Sequence, residues 1–126
     1  MIERYFIEIE GVISRFDIVS TYSLHKRVIN DSFGVIGGSL YFSNGILDFL
    51  EVIRISDSGE PLKKKFKYHF RDLENVLIFR YDNVPHHPDI TSFPLHKHIA
   101  NKVISCSEPD LFEVLSEIQS LPAGTD

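Results

Sequence analysis

The sequence predicts an α+β fold: a curved antiparallel sheet of five or six strands in a meander, with an N-terminal and a C-terminal helix packed on one face. Two observations carry this reading. Apolar residues recur at three- and four-residue intervals near the two ends of the chain. Between those ends, segments rich in Val, Ile, Tyr and Phe are separated by turn-forming residues.

The first element rests on Ile2, Tyr5, Phe6, Ile9, Val12, Ile13 and Phe16, the stripe of an amphipathic helix over residues 2–15. Gly11 costs that helix about 1 kcal/mol relative to Ala. Residues Tyr5 to Glu10 also alternate, so a short strand is the rival reading. Strands follow at about 18–29, 35–43, 46–56, 62–72 and 76–82. Asn30 to Gly34, Ser43-Asn44-Gly45, Asp57 to Pro61 and Leu73-Glu74-Asn75 divide them. The Asn44-Gly45 pair is the strongest of these signals, because both residues accept the positive φ of a tight hairpin turn. After Asp82, Pro85, Pro88 and Pro94 predict an irregular stretch. A short strand at 103–107 returns to the sheet. The closing helix rests on Leu111, Phe112, Val114, Leu115, Ile118 and Leu121, with Ser107 or Glu108 as its cap and Pro109 in its first turn.

At 126 residues, a chain buries roughly two-thirds of its unfolded surface. A single domain over residues 1–121 is expected, with a disordered tail at 122–126. Cys106 is the one cysteine, which excludes an intramolecular disulfide and suits a reducing cytoplasm. No apolar run approaches the ~20 residues of a membrane span, and Met1-Ile2-Glu3-Arg4 lacks the order of a signal peptide. The expectation is a cytoplasmic protein without membrane contact.

The net charge of −5 argues against a chain coated with nucleic acid, yet it averages two unlike parts. Residues 62–102 hold eight Lys/Arg against four acids, a local +4 that leaves −9 for the rest. Such a cationic stretch on an acidic body can face a phosphate or an acidic partner. Within it, strict alternation puts Phe66, Tyr68 and Phe70 on one face of a strand and Lys63, Lys65, Lys67, His69 and Arg71 on the other. Cations interleaved with aromatics resemble single-stranded nucleic-acid surfaces. Lysines on an exposed strand also guard against edge-to-edge aggregation, and both readings stand. In the preceding strand, Glu51 shares an apolar row with Leu47, Phe49, Ile53 and Ile55. It is either at the sheet rim or buried against a basic partner.

Four of the six histidines, His86, His87, His96 and His98, fall within thirteen residues. Imidazole titrates near pH ~6.5 and exchanges protons with a substrate at neutral pH. Beside Arg80 and Lys97, such a cluster would also hold an anion. These are the parts of a metal-independent phosphodiester cleavage: one group takes the proton of a 2′-hydroxyl, another protonates the leaving oxygen, and a fixed cation holds the phosphate. Arg80 and Asp82, two apart on a strand, emerge on one face. They either orient the histidines or pair simply to hold an irregular segment. A metal is the rival: His96 and His98 share a face if extended, and His86 or His87 with Asp82 would complete four ligands, although the spacing matches no zinc signature. Neither a glycine-rich phosphate loop nor a GxSxG elbow is present. Cys106, between serines in a strand-like run, reads as a small core residue.

Arg80-Tyr81-Asp82-Asn83-Val84-Pro85-His86-His87-Pro88, then Phe93-Pro94-Leu95-His96-Lys97-His98 and a short C-terminal helix, resembles the TumE-like toxins of toxin–antitoxin pairs. The resemblance extends upstream to Phe42-Ser43-Asn44-Gly45, Glu51 and Tyr68-His69-Phe70, covering residues 40–120. It implies matched positions at Arg80, Asp82, His86, His87, His96 and His98. It also implies a second histidine where this chain has Leu95, which removes Leu95 from the catalytic candidates. A small helix-turn-helix antitoxin is the partner it implies.

The leading expectation is therefore an RNA-cleaving toxin that needs no cofactor or metal. Arg80, Asp82, His86, His87, His96 and His98 form its acid–base site, and Lys63, Lys65, Lys67, His69, Arg71 and Lys97 bind RNA. The alternative is a non-catalytic module binding nucleic acid or protein, with a structural metal or a pH-sensing histidine cluster. A homodimer is left open.

Overall fold

The computed structural model describes residues 1–84, 94–100 and 102–122. His86 and His87 lie outside the described residues, as do four of the five residues of the expected tail. Among the described residues there are two helices and seven strands, in the order α1 (Ile2–Ser14), β1 (Thr21–Asn30), β2 (Phe33–Phe42), β3 (Gly45–Ile55), β4 (Pro61–Arg71), β5 (Leu77–Asp82), β6 (His96–Ile99), β7 (Lys102–Ser105) and α2 (Leu111–Ser120). The strands form one antiparallel sheet in sequence order, β1 through β7. The sheet thus exceeds the expected five or six strands. The extra strand, β6, pairs with β5 through Arg80↔His98 and Asp82↔His96. It lies just beyond Pro94, so the prolines end their influence earlier than the sequence suggested.

Period-two alternation decides the layering. Ile36, Leu40, Leu47, Phe49, Ile53, Phe66, Tyr68, Phe70 and Phe79 point to one side and form a single core with Ile2, Phe6, Ile9 and Ile13 of α1 and Leu111, Val114, Leu115 and Ile118 of α2. Both helices therefore cover one face, and among the described residues no helix covers the other, here called the bare face. Helix α1 has no side-chain cap; the Asp31 carbonyl accepts from Ile2 N at 2.8 Å instead. The cap of α2 is Asp110 rather than Ser107 or Glu108. Asp110 accepts from Glu113 N at 2.8 Å while Glu113 accepts from Asp110 N at 3.0 Å, a reciprocal capping box, with Pro109 just outside the helix. No helix among the described residues is long and apolar enough to cross a membrane.

Two local predictions need correction. The β2–β3 turn is Ser43-Asn44, with Gly45 already paired to Phe42, and neither Asn44 nor Gly45 has a positive φ. Glycine is needed at 45 for proximity: a Cβ there would lie 2.3 Å from the Arg71 carbonyl oxygen. The second correction concerns Lys63. The β3–β4 register shifts after Val52↔Lys65 to Ile53↔Lys63, leaving Lys64 as an extra residue. One extra residue reverses the alternation beyond it, so Lys63 turns to the covered face. Asn83 supports this bulge, accepting from Phe66 N at 3.0 Å and donating to the Lys64 carbonyl at 3.3 Å.

The bulge also explains the acid in the apolar row. Glu51 is fully buried and accepts hydrogen bonds from Tyr5 of α1 and Tyr68 of β4. Lys63 Nζ donates to Tyr68 Oη at 2.8 Å and to the Pro109 carbonyl at the entrance of α2. Of the two alternatives for Glu51, the fold adopts burial, with two tyrosine hydroxyls as its direct partners and Lys63 joined to it through Tyr68. Burial pulls the Lys63 ammonium below the usual lysine range, against the opposing pull of Glu51. Burial, then Glu51, pushes both tyrosine hydroxyls far above theirs, which keeps them as donors. This buried network ties both helices to the sheet.

Candidate functional site

The bare face carries the candidate chemistry, because antiparallel partners project to the same side. One row across it runs Asp48, His69, Arg80, His98; the adjacent row runs Leu50, Lys67, Asp82, His96. Asp82 is the anchor. Its side chain is only 3% exposed although it belongs to the bare face. Oδ1 accepts from Val84 N at 3.1 Å and lies 2.7 Å from His96 Nε2. Oδ2 accepts from Arg80 Nε at 2.8 Å, and His98 Nε2 lies 3.9 Å from it. A buried carboxylate persists only when partners offset its lost hydration, and Asp82 has them. Among the described residues no buried side-chain nitrogen or oxygen lacks a hydrogen-bond partner.

The two placed rings of the histidine cluster differ in setting. His96 is 2% exposed, with Nε2 on Asp82 and Nδ1 2.9 Å from the Pro94 carbonyl. Both ring nitrogens thus lie against oxygen atoms, which fixes the ring's orientation. His98 is 27% exposed, and its ring centroid lies 4.9 Å from that of His96 at 76°. Arg80 keeps 36% of its side chain exposed. The Asp82–His96 pair thus reads as a support that fixes Arg80 beside the more accessible His98.

Around this centre the bare face is cationic. Lys65, Lys67 and Arg71 alternate along β4 as the sequence suggested. Arg71 pairs with Asp48, whose carboxyl is held below its ordinary value: burial raises it, and the bonds from Ser39 and Arg71 outweigh that. His69 is half-buried, and burial followed by the Arg80 charge pulls its imidazole below 6.5. Lys63 does not reach this face, for the reason given above. Lys97 does not either: it is opposite Tyr81, with Nζ 2.8 Å from Glu117 Oε2 of α2 and 4.6 Å from the Tyr81 ring centre. The odd–even rule that puts His96 and His98 together places the intervening Lys97 on the covered side.

Asp82, His96 and His98 offer ligand atoms within 4.8 Å of one another, compact enough for a metal ion. The Arg80 guanidinium on the same carboxylate opposes a dication there.

The fold and face define an α+β protein with two helices on a seven-stranded antiparallel open sheet, whose other side carries imidazole and guanidinium groups. The chain belongs to the TumE toxin family: the family's model, described as toxin TumE, matches residues 9–121. No curated protein and no solved structure gives a significant match. Membership of a toxin family implies an antitoxin as partner.

Proposed function

We propose that this chain is a ribonuclease toxin acting in the cytoplasm, cutting single-stranded RNA by acid–base chemistry without a metal. The observation that carries this reading is the Arg80–Asp82–His96 cluster, with His98 beside it, on a bare cationic face of an otherwise acidic chain. Arg80 holds the non-bridging phosphate oxygens, and its fixed charge is worth most where charge develops on them. His98 exchanges a proton with the substrate, and Asp82 with His96 positions both groups. Lys65, Lys67 and Arg71 neutralise neighbouring phosphates. His86 and His87 remain members of the proposed site on the strength of the family's sequence pattern. The proposed partner is a small helix-turn-helix antitoxin, whose binding would cover the active face.

The test uses purified, antitoxin-free protein with a fluorescent single-stranded RNA, with and without EDTA. Cleavage should be unaffected by EDTA. His98→Ala and Arg80→Ala, both at partly exposed side chains, should lower it by about 10²-fold or more. Intact RNA at micromolar protein, or activity that EDTA abolishes, would overturn the reading.

A further inference from the structure

We propose that His69 is the general base of this site, with His98 as the general acid and the scissile phosphate held between them on Arg80. The inference rests on the ribonuclease reading and assigns a proton-transfer role to a residue that the sequence marked only as RNA-binding. It stands first on register. His69 is directly opposite Arg80 on β4, and Arg80 is directly opposite His98 on β6. The two imidazoles therefore flank one guanidinium in a single row on the bare face. In-line displacement at phosphorus needs this order, because the attacking and leaving oxygens occupy opposite ends of one axis.

Spacing agrees with it. Two strand separations of about 4.8 Å put His69 and His98 about 10 Å apart at the backbone. If the rings rise parallel from their strands they keep that separation, and two hydrogen bonds of about 2.8 Å leave about 4 Å for the reacting phosphorus and its two apical oxygens. Adjacent strands would be too close to admit the phosphate, and three separations too far.

The surroundings of His69 suit a base. Among the described residues the groups acting on it are Arg80 on β5, Asp48 on β3, and Lys67 and Arg71 on its own strand. Asp48 favours the charged ring, while burial and the three cations oppose it, so the neutral imidazole prevails. Asp48 is itself engaged with Ser39, at 2.6 Å, and with Arg71. His69 thus begins the reaction able to accept a proton.

The step balances without a further reactant. His69 takes the proton of the 2′-hydroxyl. The 2′-oxygen bonds to phosphorus as the bond from phosphorus to the 5′-oxygen breaks. Protonated His98 gives its proton to that departing oxygen. The products are a 2′,3′-cyclic phosphate and a 5′-hydroxyl, and proton exchange with water restores both rings.

The experiment compares two substrates: a single-stranded RNA oligonucleotide and uridine 3′-(4-nitrophenyl phosphate), whose aryl oxide leaves without protonation. His69→Ala should lose about 10²-fold or more on both substrates. His98→Ala should lose that much on RNA and less than about ten-fold on the aryl ester. The acid limb of kcat/KM, from protonation of His69 below pH 6.5, should disappear in His69→Gln. Circular dichroism on each variant confirms the fold. If the parent cuts neither substrate, the ribonuclease reading fails. If the parent cuts both while His69→Ala stays within three-fold and keeps the acid limb, that reading survives and the assignment of His69 is overturned.

Discussion

Glu51→Ala removes the acceptor at the centre of the buried network, and its cost follows from what is left behind. The Tyr68 hydroxyl, in a residue with no exposed surface, and the Tyr5 hydroxyl both lose the carboxylate to which they donate. Each stranded donor costs about 1–3 kcal/mol. Lys63 also loses the opposing charge that acts on it most strongly, although Glu108, Asp110 and Glu113 supply part of it. Removing one partner of a buried charged network costs about 3–5 kcal/mol in all. That is a large share of the 5–15 kcal/mol typical of a whole domain. The melting temperature should fall by roughly 10–20 °C for a chain of this size. Urea unfolding followed by tyrosine fluorescence gives the free energy directly. Glu51→Gln, which keeps the volume and one acceptor, should lose less than Glu51→Ala. If Glu51→Ala and Tyr68→Phe each cost under about 1 kcal/mol, the network does not hold the helices on the sheet.

Three further outcomes follow from local geometry. Gly11→Ala should stabilise by about 0.5–1 kcal/mol, since a Cβ there meets nothing within 4 Å and Ala is the better helix former. Gly38→Ala should destabilise instead, because its Cβ would lie 2.1 Å from the Ser23 carbonyl oxygen and force β1 off the sheet; thermal melts of the two variants should move in opposite directions. Burial raises the Cys106 thiol above its usual value despite Lys97, so iodoacetamide at pH 7 should alkylate it more slowly than free cysteine.

His69 also links folding to pH. Its folded value lies below the 6.5 of a free imidazole, so the unfolded chain binds its proton more readily. The penalty this imposes on the folded state is full below the folded value and disappears as pH rises past 6.5. His69→Gln should therefore flatten the loss of stability on acidification through that window, measured by urea titrations across the range.

Much of the architecture was legible because local patterns and tertiary burial agree. The stripe from Ile2 to Ile13 is both helical in period and the buried face of α1, and the strands of the meander lie within a few residues of the expected spans. Failures came where a single residue changes the register or the contact. Lys64 is invisible as a bulge in a run of lysines, yet it sends Lys63 to the covered face. Gly45 signals a turn in sequence but is required by the nearness of Arg71. Strand β6 is four residues long, too short to show a period against the neighbouring prolines. At the site, the Arg80–Asp82 pairing and the shared face of His96 and His98 follow from odd–even spacing alone. The row joining His69 to Arg80 needs the pairing of β4 with β5, which a single strand does not encode. Glu51 was conspicuous as an acid among Leu and Ile; its tyrosine partners come from distant elements.

The account is tested most directly by the chemical ends of the RNA that the purified chain produces in the presence of EDTA. It predicts fragments ending in a 2′,3′-cyclic phosphate with new 5′-hydroxyls, lost together when Arg80 is replaced by Ala. Fragments carrying 5′-phosphates, or products formed only when a divalent metal is supplied, would contradict it.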